Sequence, residues 1–152
     1  MLLTELLTAE RVRVPLSSRS KDEVLRELVE LATRGHPPDD VEAALAAVRE
    51  REQLLSTGIG AGVAIPHGKT PVIDQLVLAA GVTAPGIEFD ALDGEPVQLF
   101  FLVLGPESAA GAHVKVLSRI SRLLRREPLR QALRTVGSEA DFLRIVRASE
   151  AV

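Results

Sequence analysis

Apolar residues recur along this chain with two alternating periods, near two in some segments and near 3.6 in others. That alternation predicts strands interleaved with helices. Residues 11–16 read RVRVPL, a short alternating strand with Pro15 near its end. Ser20-Lys21-Asp22-Glu23 follows in the form of a capping box, in which the serine hydroxyl accepts from the third helical amide and the glutamate reaches back. Val24, Leu25, Leu28, Leu31 and Ala32 then fall on one helical stripe that closes at Gly35. Pro37-Pro38-Asp39-Asp40 starts a second helix, with Val41, Ala44, Leu45 and Val48 on one face and Arg49 to Gln53 at its end.

Strands are predicted over Leu76–Thr83 and Val97–Leu104. The second is almost wholly apolar, as a central strand covered on both faces must be. Turn signals at Pro85-Gly86 and Asp93-Gly94 separate them, with a short strand expected over Ile87–Phe89. The last third reads as helical. Val114, Leu117, Ile120, Leu123 and Leu124 are expected to share the core face of a helix over Ala112–Arg126. Pro128 breaks it and begins another through Leu133, and Ser138 opens a final helix carrying Phe142, Leu143, Ile145 and Val146. Together these elements predict a single-domain α/β fold, a three-layer α/β/α sandwich. The hairpin-length spacing in the middle favours a mixed sheet over an all-parallel one.

Composition narrows the functional classes. A chain of 152 residues fits one domain with a real core. Cysteine is absent, which excludes disulfide frameworks, thiolate metal sites and thiol nucleophiles and fits a reducing, cytoplasmic setting. The net charge of −3 and the lack of a dense basic block argue against a nucleic-acid partner. With no Trp, no Tyr and four Phe there is no base-stacking surface either. The best apolar run, Val97–Leu104, is far shorter than the ~20 residues of a membrane helix. The opening MLLTELLTAERVRV lacks the basic start of a signal peptide. A cytoplasmic protein without membrane insertion is therefore expected.

The densest chemical signal is the run from Ser56 to Lys69, STGIGAGVAIPHGK. Its glycines allow backbone amides close to an anion. Neither standard nucleotide loop fits. GxGxxG fails because position 63 is Val63, and GxxxxGK[ST] fails because five residues separate Gly62 from Gly68. Pro66 also removes a donor. A glycine cluster alone reads as a tight turn before a strand, but His67 changes the weighing. It follows the short apolar strand Val63–Ile65, between Pro66 and Gly68, so an imidazole is presented at a strand end. A neutral imidazole nitrogen is nucleophilic near pH 7 and forms a phosphoramidate that is readily passed on. Arg51, at the end of the second helix, can supply a bidentate clamp for the phosphoryl charge. His113 falls in the first turn of the long C-terminal helix, where anions are favoured. Taken alone it reads as a partly exposed polar residue, and His36 as a solvated loop residue. The three histidines form no HxH or HExxH pair and no GxSxG occurs, so no metal, no cofactor and no serine hydrolase are expected. Glu88/Asp90 and Asp93/Glu95 read as loop charges, and Arg119, Arg122, Arg125 and Arg126 as a solvated helix face.

The run Arg51-Glu52…Ser56-Thr57-Gly58-Ile59-Gly60…Ala64-Ile65-Pro66-His67-Gly68 closely resembles the signature of enzyme IIA domains of the fructose/mannitol class in the bacterial phosphotransferase system. The likeness extends through Phe89-Asp90-Ala91-Leu92-Asp93, the strand Val97–Leu104 and His113 with its following helix. The opening LLTELLTAERVRVPL, the GIG-G-AIPHGK form and the length look most like the nitrogen-regulatory subtype, since the sugar-transport domains are often fused to further modules. The resemblance implies an α/β/α fold with a mixed sheet. It implies a phosphorylated His67, a phosphoryl-holding His113, a charge-stabilising Arg51 and a pocket lined by Ser56, Thr57 and Gly58. It implies an HPr- or NPr-like phosphocarrier as donor, with regulatory targets in nitrogen, potassium or metabolic control downstream. The alternatives are a sugar-transport component donating to a separate IIB domain, and a binding module that has kept the fold but lost phosphotransfer.

Overall fold

One strand organises the molecule. In the computed structural model, which describes residues 2–151, the chain runs α1 (Leu3–Leu6), a 3₁₀ turn (Ala9–Arg11), β1 (Val12–Leu16), α2 (Lys21–Ala32), α3 (Pro38–Leu54), β2 (Gly58–Gly60), β3 (Val63–Ala64), β4 (His67–Lys69), β5 (Val77–Ile87), β6 (Val97–Gly105), a second 3₁₀ turn (Glu107–Ala109), α4 (Ala110–Leu123), α5 (Glu127–Arg134) and α6 (Glu139–Glu150). The sheet order is β1-β5-β6-β3-β2, with β4 also paired to β6. β6 is antiparallel to β5 and parallel to β3 and β4, while β1 is parallel to β5. The sheet is therefore mixed, as the central hairpin spacing predicts.

Alternation along β6 builds both cores. Leu99, Phe101 and Val103 pack with α1, α4, α5 and α6, whereas Phe100, Leu102 and Leu104 pack with α2 and α3. A strand with both faces covered needs an apolar residue at nearly every position. The result is the three-layer sandwich. Two serine caps hold as read from sequence. Ser20 accepts from the Glu23 amide at 3.3 Å and Ser138 from the Asp141 amide at 3.1 Å. Glu23 reaches back one residue further than a capping box requires, accepting from the Arg19 amide at 2.8 Å.

Two expectations are corrected. No separate strand covers Ile87–Phe89. β5 itself continues to Ile87, which pairs with Val97 across a register shift, and Phe89 lies beyond it, buried against Phe100. The Pro85-Gly86 signal does not end the strand because side chains take over lost ladder bonds. Gln98 donates to the carbonyls of Thr83 and Ala84, and the Thr83 hydroxyl donates to Pro85 O. The core stripe of α4 is also rotated from the expected one. Its buried row is His113, Val116 and Ile120, continued by Leu124, while Val114 is 60% exposed. The reason is that a histidine stands on the buried row, so the apolar pattern alone does not mark that face.

Candidate functional site

β3 and β4 are two pieces of one path along β6. Val63 and Ala64 pair with Leu99 and Phe100, and His67 and Gly68 pair with Val103 and Leu104, in unbroken register. The path is interrupted at Ile65-Pro66 because proline has no N–H to donate. Pro66 still accepts from the Val103 amide at 3.1 Å. Strand alternation then assigns the faces. Gly68 points at α3, where an added Cβ would lie 3.1 Å from Val48, so glycine lets helix and strand approach closely. His67 takes the opposite face with Val63 and Ile65, toward α4.

His113 comes to meet it. It is 1% exposed and sits on the buried row of α4. The two imidazole rings lie edge to face, with centroids 5.6 Å apart and an interplanar angle of 67°. His113 is thus no partly exposed helix residue, and the correction bears directly on chemistry. Among the described residues neither of its ring nitrogens has a hydrogen-bond partner, although both are buried. Native structures rarely leave such groups orphaned, since each costs about 1–3 kcal/mol. They lie beside the His67 ring, so the polar edge of one imidazole faces the other inside the fold.

The state of His67 follows from one contact. Its Nδ1 lies 2.9 Å from Ile65 O. A carbonyl oxygen only accepts, so Nδ1 carries the proton and Nε2 keeps its lone pair. Burial holds the His67 pKa below its ordinary value. The Ile65 hydrogen bond opposes this, the charges of Arg51 and Lys69 reinforce it, and Glu52 opposes it. His113 is pushed down to about 4, by burial first and then by His67 and Lys69. Near neutral pH the pair is therefore uncharged, with one free nucleophilic nitrogen and an adjacent imidazole able to donate a hydrogen bond.

Arg51 lies in the last turn of α3, donating from Nη1 to Leu55 O at 2.8 Å. Among the described residues it makes no other hydrogen bond or ion pair, so the rest of its fork is uncommitted. Ser56 donates to Phe89 O at 3.0 Å and accepts from the Gly58 amide at 3.1 Å. Thr57 is buried, with its amide and hydroxyl both donated to Glu52. A Cβ on Gly58 would lie 2.8 Å from the Ala91 Cβ. The polar groups of Ser56 and Thr57 are thus engaged in shaping the turn. His36 lies elsewhere, 3.4 Å from Asp40. No cluster of three His, Asp or Glu side chains suited to a metal ion occurs among the described residues, and none of their helices is long and apolar enough to cross a membrane. Glu52 is the functional candidate that sequence reasoning passed over. The signal was there, because it continues the buried stripe Ala44, Leu45, Val48 at helical spacing.

Comparison with known proteins decides the family. The profile of the phosphoenolpyruvate-dependent sugar phosphotransferase system EIIA 2 family matches residues 5–149. This chain belongs to that family. It is 39% identical over 135 residues to a nitrogen regulatory protein of Bradyrhizobium diazoefficiens, covering 88% of this chain and 87% of that one. It is 36% identical over 146 residues to the fructose-specific EIIABC component of Bacillus subtilis. That match takes in 96% of this chain but spans only 23% of the larger protein's length. The structure resembles the nitrogen regulatory protein IIA-Ntr of Neisseria meningitidis with a TM-score of 0.86 and 34% identity, covering 95% and 98% of the two chains. An EIIA-type phosphocarrier role accords with all three, and the regulatory and sugar-specific branches of the family are both represented among them.

Proposed function

We propose that His67 is the phosphoryl acceptor of this EIIA domain and that Nε2 is the accepting atom. The observation that carries this reading is the pairing of a free His67 Nε2 with a buried, unpartnered His113 ring 5.6 Å away. The Nε2 lone pair attacks phosphorus on a phospho-HPr-like donor. A P–Nε2 bond forms, the donor's P–N bond breaks, and its electron pair returns to the donor nitrogen. The imidazole ring gains positive character as it does so, and the Nδ1–H bond to Ile65 O disperses it. His113 donates a hydrogen bond to a phosphoryl oxygen, which satisfies one of its orphaned nitrogens. Arg51 supplies the charge-matched fork that a phosphoryl group in transfer requires. Leu54 and Leu55, which follow Arg51, and Val114, which follows His113, are exposed and offer an apolar rim on which a carrier can dock.

Downstream, the reading that fits best is regulatory. The phosphorylation state of His67 changes the charge of the rim and so the choice of target protein. The likeness to nitrogen regulatory proteins over most of both chains supports it. Donation to a IIB domain is the second reading, favoured by the fructose-specific relative.

Labelling with phosphoenolpyruvate, enzyme I and an HPr-type carrier tests the acceptor. His67→Ala is expected to abolish acid-labile label. His113→Ala should slow its appearance by roughly a hundred- to a thousandfold, the scale for loss of one preorganised donor. Arg51→Ala should slow transfer more than Arg51→Lys, which keeps a point charge. Undiminished labelling of His67→Ala would reject the assignment.

A further inference from the structure

We propose that Glu52 is a positioning residue for His67, acting through a chain of hydrogen bonds that passes from its buried carboxylate through Thr57 and Ile65 to the imidazole. The proposal rests on His67 being the phosphoryl acceptor. Glu52 is 6% exposed and lies on the core stripe of α3, where an apolar residue is the ordinary occupant. Oε2 accepts from the Thr57 amide at 2.9 Å and Oε1 accepts from the Thr57 hydroxyl. The Thr57 carbonyl accepts from the Ile65 amide at 3.0 Å. The Ile65 carbonyl in turn accepts from His67 Nδ1–H at 2.9 Å. The two bonds of Ile65 straddle a single residue. Thr57 therefore sets the position from which Ile65 O is offered to the ring.

The segments joined by this chain have little else to order them. β2 and β3 are three and two residues long, and Pro66 contributes no donor. The opposite end of the chain is fixed from α2. Lys21 Nζ lies 3.1 Å from Glu52 Oε2 and 3.6 Å from Asp90, and 4.8 Å above the Phe89 ring. A buried ion pair is on balance a poor source of stability compared with apolar packing. Its presence at a core position is accounted for by what the carboxylate holds in place. Glu52 also balances the local charge. Around the histidine pair, Arg51 of α3 and Lys69 of β4 are cationic, His113 of α4 is neutral, and Glu52 is the anion that acts on His67.

Three variants test this, each read by single-turnover transfer from phospho-HPr and by the ¹⁵N shifts of the His67 ring across pH. In the wild-type protein the shifts should report the Nδ1–H tautomer. Glu52→Gln should lower the transfer rate by about ten- to a hundredfold, the range that slight misplacement of a reacting group produces. It should also mix the two tautomers and move the His67 titration to lower pH, because an anion is lost. Thr57→Val, which keeps the Glu52 charge, should slow transfer and mix the tautomers without that charge effect, and Thr57→Ser, which restores the hydroxyl, should behave as wild type. A folded Glu52→Gln protein with wild-type rate and tautomer overturns the proposal. If that variant does not fold, wild-type behaviour of Thr57→Val overturns it instead. If the wild-type protein takes no phosphoryl group at His67, the carrier reading fails, and the tautomer shifts still decide whether Glu52 controls the ring.

Discussion

A neutral buried histidine is a liability in acid, and His113 is such a residue. Its folded pKa is about 4, against an ordinary value of 6.5. Between these values the unfolded chain binds a proton that the folded chain refuses, so stability is full above pH 6.5 and falls as pH drops. The loss from His113 between pH 7 and pH 5 comes to about 2 kcal/mol. Paired carboxylates such as Glu27 and Glu150, whose pKa values are lowered, do not contribute until the pH falls further. Urea unfolding of wild type and His113→Leu at both pH values isolates the effect. The wild-type protein should lose about 2 kcal/mol more than the variant over this interval. Equal losses would mean that the ring is not held neutral in the fold. The same residue shows what a single position cannot tell. Its helix was legible in the sequence, but its burial was not, because an isolated histidine carries no apolar signal of its own. Only the phase of Val116, Ile120 and Leu124 around it reveals that it faces the sheet.

At the scale of elements, a demanding contact is the pairing of β1 with β5. Gly81 pairs with Arg13, and a Cβ there would lie 2.6 Å from Leu16 and 2.8 Å from Arg13 O. One of the two obstacles is backbone and cannot swing aside. Gly81→Ala is expected to cost about 1–3 kcal/mol, the range for overpacking a filled core. Thermal or urea denaturation would measure it, and a variant as stable as wild type would show that the strands can separate freely. The elements themselves were largely legible from periodicity. The apolar run of β6, the serine caps of α2 and α6 and the proline starts of α3 and α5 each state a local rule that the fold obeys. The end of β5 was not legible, because the Gln98 side chain that sustains it belongs to a different strand. Nor was the interrupted path of β3 and β4, whose pairing depends on contacts with β6 distant in sequence.

At the scale of the whole molecule, the proposed site draws on three layers. The sheet edge supplies His67, the α4 layer supplies His113, and the α3 layer supplies Arg51 and Glu52. The two ends of the described chain are tied on the α4 side, where the Glu150 carboxylate accepts from the Leu3 amide at 2.6 Å, from Thr4 and from Arg119. The proposed transfer would benefit from this arrangement, since His67 is paired in the sheet while the charged groups come from the helices on either side. Apart from His113, the residue types of the proposed site were visible in the run from Arg51 to Gly68, yet the free nitrogen of His67 is set by one carbonyl, and that is a property of the folded chain. The most direct measurement is therefore ³¹P-coupled ¹⁵N NMR of the histidine-labelled protein after phosphorylation by phospho-HPr. Phosphorus coupled to Nε2 of His67, with the proton retained on Nδ1, is the expected result. Coupling to Nδ1 of His67, or to a nitrogen of His36 or His113, would contradict the mechanism.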